Sequence, residues 1–161
     1  MNNISTEDKK FLQIAIDLAV ENAQSGQGGP FGAIVVKNGE IIATGSNIVT
    51  VVNDPTAHAE VTAIRNACEK LNDFQLENCT IYSSCEPCPM CLGAIYWARP
   101  TRLVYAATKD DAAKAGFDDS FIYHELEKEQ KDRTIKTEQI MRKEGFEPFE
   151  IWINSEDKIE Y

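Results

Sequence analysis

An α/β fold, in which a sheet is built from a hairpin and from strands joined through helices, is predicted by three observations in this sequence. Asn38-Gly39 separates two β-rich runs and favours the positive φ angles of a tight turn. Helical and strand patterns then alternate, the signature of crossover units with parallel strands. No apolar stretch approaches the roughly 20 residues that cross a bilayer, and 161 residues fit one compact domain with a single core.

The first element is a helix from about Thr6 to Ser25. Phe11, Ile14, Ala15, Leu18 and Ala19 recur at helical spacing, with Asn22 as a single polar residue on the same face. Ser5 or Thr6 can cap it, and Gly26-Gln27-Gly28-Gly29-Pro30 stops it. Phe31 to Val36 and Glu40 to Gly45 form the hairpin. Thr56 to Leu71 reads as the second helix, with Val61, Ile64, Cys68 and Leu71 facing inward. Cys79 to Ser84 is a buried strand that runs into Cys85-Glu86-Pro87-Cys88-Pro89-Met90-Cys91, and Leu92 to Ala98 continue as a helix. Arg102 to Ala107 is a further strand. Beyond it the pattern predicts loop and short helix over 110–124, a last strand from Ile135 to Met141, and a last helix from Pro148 to about Asp157.

Composition excludes several classes. A net charge of −10, from 16 basic and 26 acidic residues, disfavours a polyanionic partner, because nucleic-acid affinity comes mostly from neutralising phosphates. The N-terminus, Met1 to Asp8, has neither a basic start nor an apolar signal core, so a cytoplasmic protein with no membrane contact is expected. Five cysteines in such a chain point away from a disulfide framework.

Chemistry gathers at two helix starts, Asp54-Pro55-Thr56-Ala57-His58-Ala59-Glu60 and Glu86-Pro87-Cys88-Pro89-Met90-Cys91. Both follow β structure, which places them at the sheet edge where open α/β folds bind ligands. Cys88 and Cys91, three apart at a helix start, share a face and can reach one metal ion as thiolates. With His58 they make three ligands, and a catalytic zinc keeps its fourth position for water. Glu60 is placed to take the proton from that water and pass it on. H-x-E…P-C-x-x-C is the signature of zinc base deaminases, and every defined position is present. On an ideal helix His58 and Glu60 would point roughly 200° apart at about 100° per residue, so the arrangement requires His58 to lie where the chain is still entering the helix. Two other readings of the cysteines stay open: Cys85 as a fourth ligand closing a structural site, and a redox pair at Cys88 and Cys91. His124 reads as a surface residue, Cys68 and Cys79 as packing residues, and Glu86 as a helix cap.

These residues resemble the cytidine-deaminase-like superfamily and, within it, the bacterial guanine deaminases. The likeness extends to Gly28 to Ala33, Asn53 to Glu60, Thr80 to Pro100 and Ala115-Gly116-Phe117-Asp118-Asp119-Ser120-Phe121-Ile122-Tyr123. It implies a three-layer α/β/α fold with a five-stranded mixed sheet, a homodimer, one Zn2+ per subunit, and hydrolysis of free guanine to xanthine and ammonia. Residue by residue it implies His58, Cys88 and Cys91 as zinc ligands and Glu60 as proton shuttle. Phe31, Asn47, Trp97 and Asp119 match base-pocket positions. Plain alternatives are core for Phe31, a turn for Asn47, and packing or a dimer face for Trp97; Asp118 reads as a loop-fixing residue. The family's chains end in a tyrosine, which implies that residues 148–161 close an active site with Tyr161, in exchange with the partner subunit or on their own. Rival readings are a tRNA adenosine deaminase, a deaminase of another base or nucleoside, and a non-catalytic zinc-stabilised binding module.

Overall fold

The computed structural model describes residues 5–161; residues Met1 to Ile4, on which part of the expectation about export rests, lie outside the described residues. The described chain divides into two compact units, residues 1–119 and 120–161.

In the first unit α1 (Thr6–Ser25) is followed by the hairpin β1 (Gly32–Lys37) and β2 (Glu40–Ser46), the short α2 (Val49–Val52), α3 (Ala59–Leu71), β3 (Cys79–Cys85), α4 (Pro89–Ala98), β4 (Arg102–Ala107) and α5 (Lys109–Lys114). Ser5 caps α1: its hydroxyl accepts from Asp8 N while Asp8 accepts from Ser5 N, and Gly26 ends the helix in the left-handed region. The turn residues Asn38 and Gly39 both have positive φ, 52° and 77°, as the hairpin predicts. The sheet runs β2-β1-β3-β4, with β1 antiparallel to both neighbours and β3 parallel to β4. It is therefore mixed, and the two connections β2–α3–β3 and β3–α4–β4 both join strands of the same direction.

Successive strand residues face opposite sides, and the core is split accordingly. Ile34, Val36 and Tyr82 pack with Phe11 and Ala15 of α1. Ala33, Val35 and Ile81 pack on the other side with Ala59, Ala63 and Ala67 of α3 and with Ile95 and Ala98 of α4. Two glycines let the helices approach. A Cβ on Gly32 would sit 2.4 Å from the Ala15 carbonyl oxygen of α1, and one on Gly45 would sit 2.3 Å from that of Ala59 in α3.

An ion pair between a buried carboxylate and a partly exposed guanidinium ties the start of the unit to its last strand. Arg102 Nη1 and Nη2 donate to Asp8 Oδ1 and Oδ2 at 2.6 and 3.1 Å, and the Tyr82 hydroxyl donates to Oδ1 at 2.8 Å. The Arg102 hydrogen bonds, then that of the Ser5 amide, hold the Asp8 carboxyl well below its ordinary 3.8. Burial, then the Asp8 hydrogen bond, pushes the Tyr82 hydroxyl up to about 12. A depressed carboxyl contributes stability that is complete above its unfolded pKa and fades as the pH falls below it. Asp8→Asn is expected to cost about 1–3 kcal/mol at pH 7, towards the lower end because the Arg102 side chain is partly solvated. The gap to the parent should narrow between pH 4 and pH 2. Thermal melts at pH 7 and pH 3 check this, and a gap that widened on acidification would overturn it.

The second unit contains α6 (Ser120–Glu127), two 3-10 turns (Gln130–Asp132 and Glu144–Phe146) and α7 (Glu147–Ile153). Glu125 accepts from Thr134 N at 2.6 Å and Thr134 Oγ1 at 2.9 Å, which fastens the segment after α6. Phe146 and Phe149 stack at 6.1 Å.

The structure corrects three expectations. The sheet has four strands among the described residues, not five: Ile135 to Met141 forms no strand. Its apolar residues sit at its two ends, with Lys136-Thr137-Glu138-Gln139 between them, so neither face of a pleat is apolar. Ile135 and Ile140 are 79% and 80% exposed. The second predicted helix begins at Ala59 rather than Thr56, and the last ends at Ile153 rather than near Asp157. Over 110–124 the loop and short helix resolve into parts of α5 and α6. No helix of the described residues is long and apolar enough to cross a membrane.

Candidate active site

Because β2 and β3 run in the same direction, the helices that follow them begin at the same edge of the sheet. Asp54-Pro55-Thr56 forms a braced turn there: Asp54 Oδ1 accepts from Thr56 N at 2.8 Å and Thr56 Oγ1 at 2.7 Å, which holds the Asp54 carboxyl low. His58 N donates to the Thr56 carbonyl at 2.8 Å. His58 is consequently the N-cap of α3, extended at φ −69° and ψ 162°, and its side chain caps nothing. That removes the 200° conflict, because only Glu60 lies on the helix. Cys88 occupies the same position at the start of α4, with φ −64° and ψ 167°, no side-chain cap bond, and Pro89 next. The two N-cap positions, usually held by residues that bond the helix amides, are given over to side chains that turn towards one another.

His58, Cys88 and Cys91 converge, all their ligand atoms lying within 4.8 Å, and they form the one cluster of this kind among the described residues. His58 Nδ1 is 3.6 Å from Cys88 Sγ and 3.5 Å from Cys91 Sγ. A tetrahedral ion with Zn–S near 2.3 Å and Zn–N near 2.0–2.1 Å sets nitrogen and sulfur about 3.6 Å apart. The donor chemistry fits as well. A hydrogen bond from Cys91 lowers the Cys88 thiol far below its usual 9.0, and that shared proton, with burial, raises Cys91. Binding a cation there requires both thiols to give up their protons. Cys85, the alternative fourth ligand, is elsewhere engaged, with Sγ 3.5 Å from the Thr108 carbonyl.

Glu60 is 5% exposed, in the first turn of α3. Burial raises its pKa, opposed by hydrogen bonds that include those from Ser83 and Cys91. A carboxylate that meets the Cys91 sulfur stands beside the metal position, and its raised pKa favours its holding a proton.

The residues expected to line a base pocket are placed unequally. Phe31 meets Phe117 edge-on at 5.0 Å. Asn47 is buried and its Oδ1 accepts from Gly29 N and Val49 N, each at 3.4 Å. Its amide N–H2 meets no acceptor among the described residues and can serve a ligand. Asn22, the polar residue on the apolar face of α1, donates to the carbonyls of Gly29 at 2.7 Å and Asn47 at 2.9 Å, so it fixes this loop. Asp119 has its pKa raised by burial and then by the negative charge of Cys88. Trp97 is 64% exposed on α4, and Tyr161 is 69% exposed in the second unit.

The profile of the cytidine and deoxycytidylate deaminase zinc-binding region matches residues 5–107. The chain belongs to this family. It is 59% identical over 151 residues to guanine deaminase of Bacillus subtilis, covering 94% of this chain and 97% of that one. The X-ray structure of guanine deaminase from Bacillus subtilis superposes with a TM-score of 0.93 at 56% identity, covering 100% of this chain and 99% of that one. A tRNA-specific adenosine deaminase of Aquifex aeolicus is 43% identical over 97 residues, 60% of this chain and 64% of that one.

Family membership makes zinc the metal that the His/Cys/Cys cluster fits. Two residues beside it do work that the sequence reasoning did not assign to them. Glu86, expected to cap the helix that follows it, instead accepts from Lys109 N at 3.1 Å and so anchors α5. Ser83 donates to Glu60 Oε1 at 2.9 Å. β3 also carries Thr80, Tyr82 and Ser84, so the Ser83 hydroxyl is no signal in the sequence by itself.

Proposed function

We propose that this deaminase removes the amino group of free guanine hydrolytically, giving xanthine and ammonia with one zinc per subunit. One observation carries the reading: the likeness to guanine deaminase of Bacillus subtilis extends over 94% of the chain at 59% identity, whereas tRNA-specific adenosine deaminases of Aquifex aeolicus and Haemophilus influenzae match 60% and 74% of it at 43% and 39%. The −10 charge also counts against a phosphate-rich substrate.

Zinc held by His58, Cys88 and Cys91 supplies the Lewis acidity that makes water nucleophilic at neutral pH. Glu60 takes one proton from the water that attacks the ring carbon bearing the amino group and gives it to the adjacent ring nitrogen; it then takes the proton of the new hydroxyl and gives it to the amine as the C–N bond breaks, leaving the carbonyl and ammonia. Asn47 offers its amide N–H2 donors to a purine edge, its oxygen being taken up by Gly29 and Val49, and Asp119 accepts from the ring and amino N–H groups. Phe31 and Trp97 flank the base. The chain acts as a single deaminase domain in which residues 148–161 close an active site through Tyr161. It works in the cytoplasm as a homodimer.

The test is ammonia release from guanine, adenine, cytosine, guanosine and a tRNA anticodon stem-loop, with and without a chelator, and with residues 159–161 deleted. Guanine should be turned over at least about 10²-fold faster than adenine, because the wrong edge leaves buried polar groups unpaired. The chelator should abolish turnover and added zinc restore it, and the deletion should depress kcat with zinc retained. Equal rates on adenine or on the stem-loop would overturn the assignment.

A further inference from the structure

Ser83 and Ser84 stand side by side at the end of β3 and do different work. Ser84 Oγ accepts from Gly32 N at 3.0 Å, continuing the ladder to β1 just after Phe31. Ser83, on the opposite face, is 2% exposed and donates to Glu60 Oε1 at 2.9 Å. A hydroxyl carries one proton, and a buried one must be satisfied. Among the described residues Ser83 gives its proton to this single oxygen.

We propose that Ser83 is a positioning residue that selects the working oxygen of Glu60, binding Oε1 so that Oε2 is the atom that carries the proton. The inference rests on the deaminase reading above. The terminal torsion of a glutamate side chain is broad and roughly two-fold, so an unclamped carboxylate exchanges its oxygens and tilts its plane. A donor on the rigid strand β3, facing α3 across the core, removes that freedom. Partners of this kind, one step removed from the reacting atoms, are commonly worth 10–100-fold in activity.

Ser83→Ala tests this with two readouts on the zinc-loaded full chain. In steady-state kinetics with guanine, kcat is expected to fall about 10–100-fold, with KM within about twofold and zinc content unchanged. In protein labelled with 13C at the glutamate carboxyl, the Glu60 resonance, assigned by its loss in Glu60→Gln, is expected to move. A kcat within about twofold of the parent, a rise in KM with kcat unchanged, or an unmoved Glu60 resonance overturns the proposal. Should the parent chain release no ammonia from guanine, the substrate reading fails and the resonance alone decides the role of Ser83.

Discussion

Glu60→Gln is expected to lower kcat by about 10²–10⁴-fold, the usual contribution of a positioned acid–base group, while one zinc per chain is retained. Glutamine keeps the length of the side chain and can accept from Ser83 as Glu60 does. It cannot take a proton from water. The substitution also removes a charge that is 95% shielded from solvent, so the folded chain should be no less stable, because a buried carboxylate is costly to hold ionised. Zinc content by elemental analysis, a thermal melt and kcat on guanine check all three parts. Turnover within about tenfold of the parent would remove Glu60 from the chemistry.

Gly45→Ala should have the largest effect on the fold. The added Cβ would meet the Ala59 carbonyl oxygen at 2.3 Å and the Ala63 amide nitrogen at 2.4 Å. Both are backbone atoms of α3, so no side chain can swing aside and the helix itself must shift. Overpacking of this kind costs about 1–3 kcal/mol, or roughly 2–12 °C in Tm for a chain of this size. The helix that moves carries Glu60 and begins at His58, and a displacement near 1 Å can cost about 10²-fold in rate. Gly93→Ala is the control, since nothing lies within 4 Å of that position. Equal Tm values for the two variants would show that α3 does not press on β2 as described.

Much of this was legible in the sequence where local chemistry and tertiary packing agree. Asn38-Gly39 specified its turn, the Phe11–Ala19 stripe its helix, and the spacing of His58, Glu60, Cys88 and Cys91 the site. Legibility failed where long-range contacts decide. Helical periodicity through Thr56 to His58 concealed the braced turn, because the Asp54 carboxylate accepts from the Thr56 amide and hydroxyl, a local arrangement that competes with helix. Ile135 to Met141 has apolar residues but no alternation that would bury one face. Glu86 could not be assigned to α5 from sequence, since its partner amide lies 23 residues away. Ser83 is visible only once β3 is known to face α3.

The clasp between Asp8 and Arg102 spans 94 residues of chain. A ribosome adding about 5–20 residues per second exposes the carboxylate some 5–20 s before its guanidinium emerges. Until then, a carboxylate seated on the nascent sheet has only the Tyr82 hydroxyl and the Ser5 amide to hold it. The last of these contacts to become available is the charged one, so the amino-terminal segment is expected to be held fully only once the fourth strand has arrived.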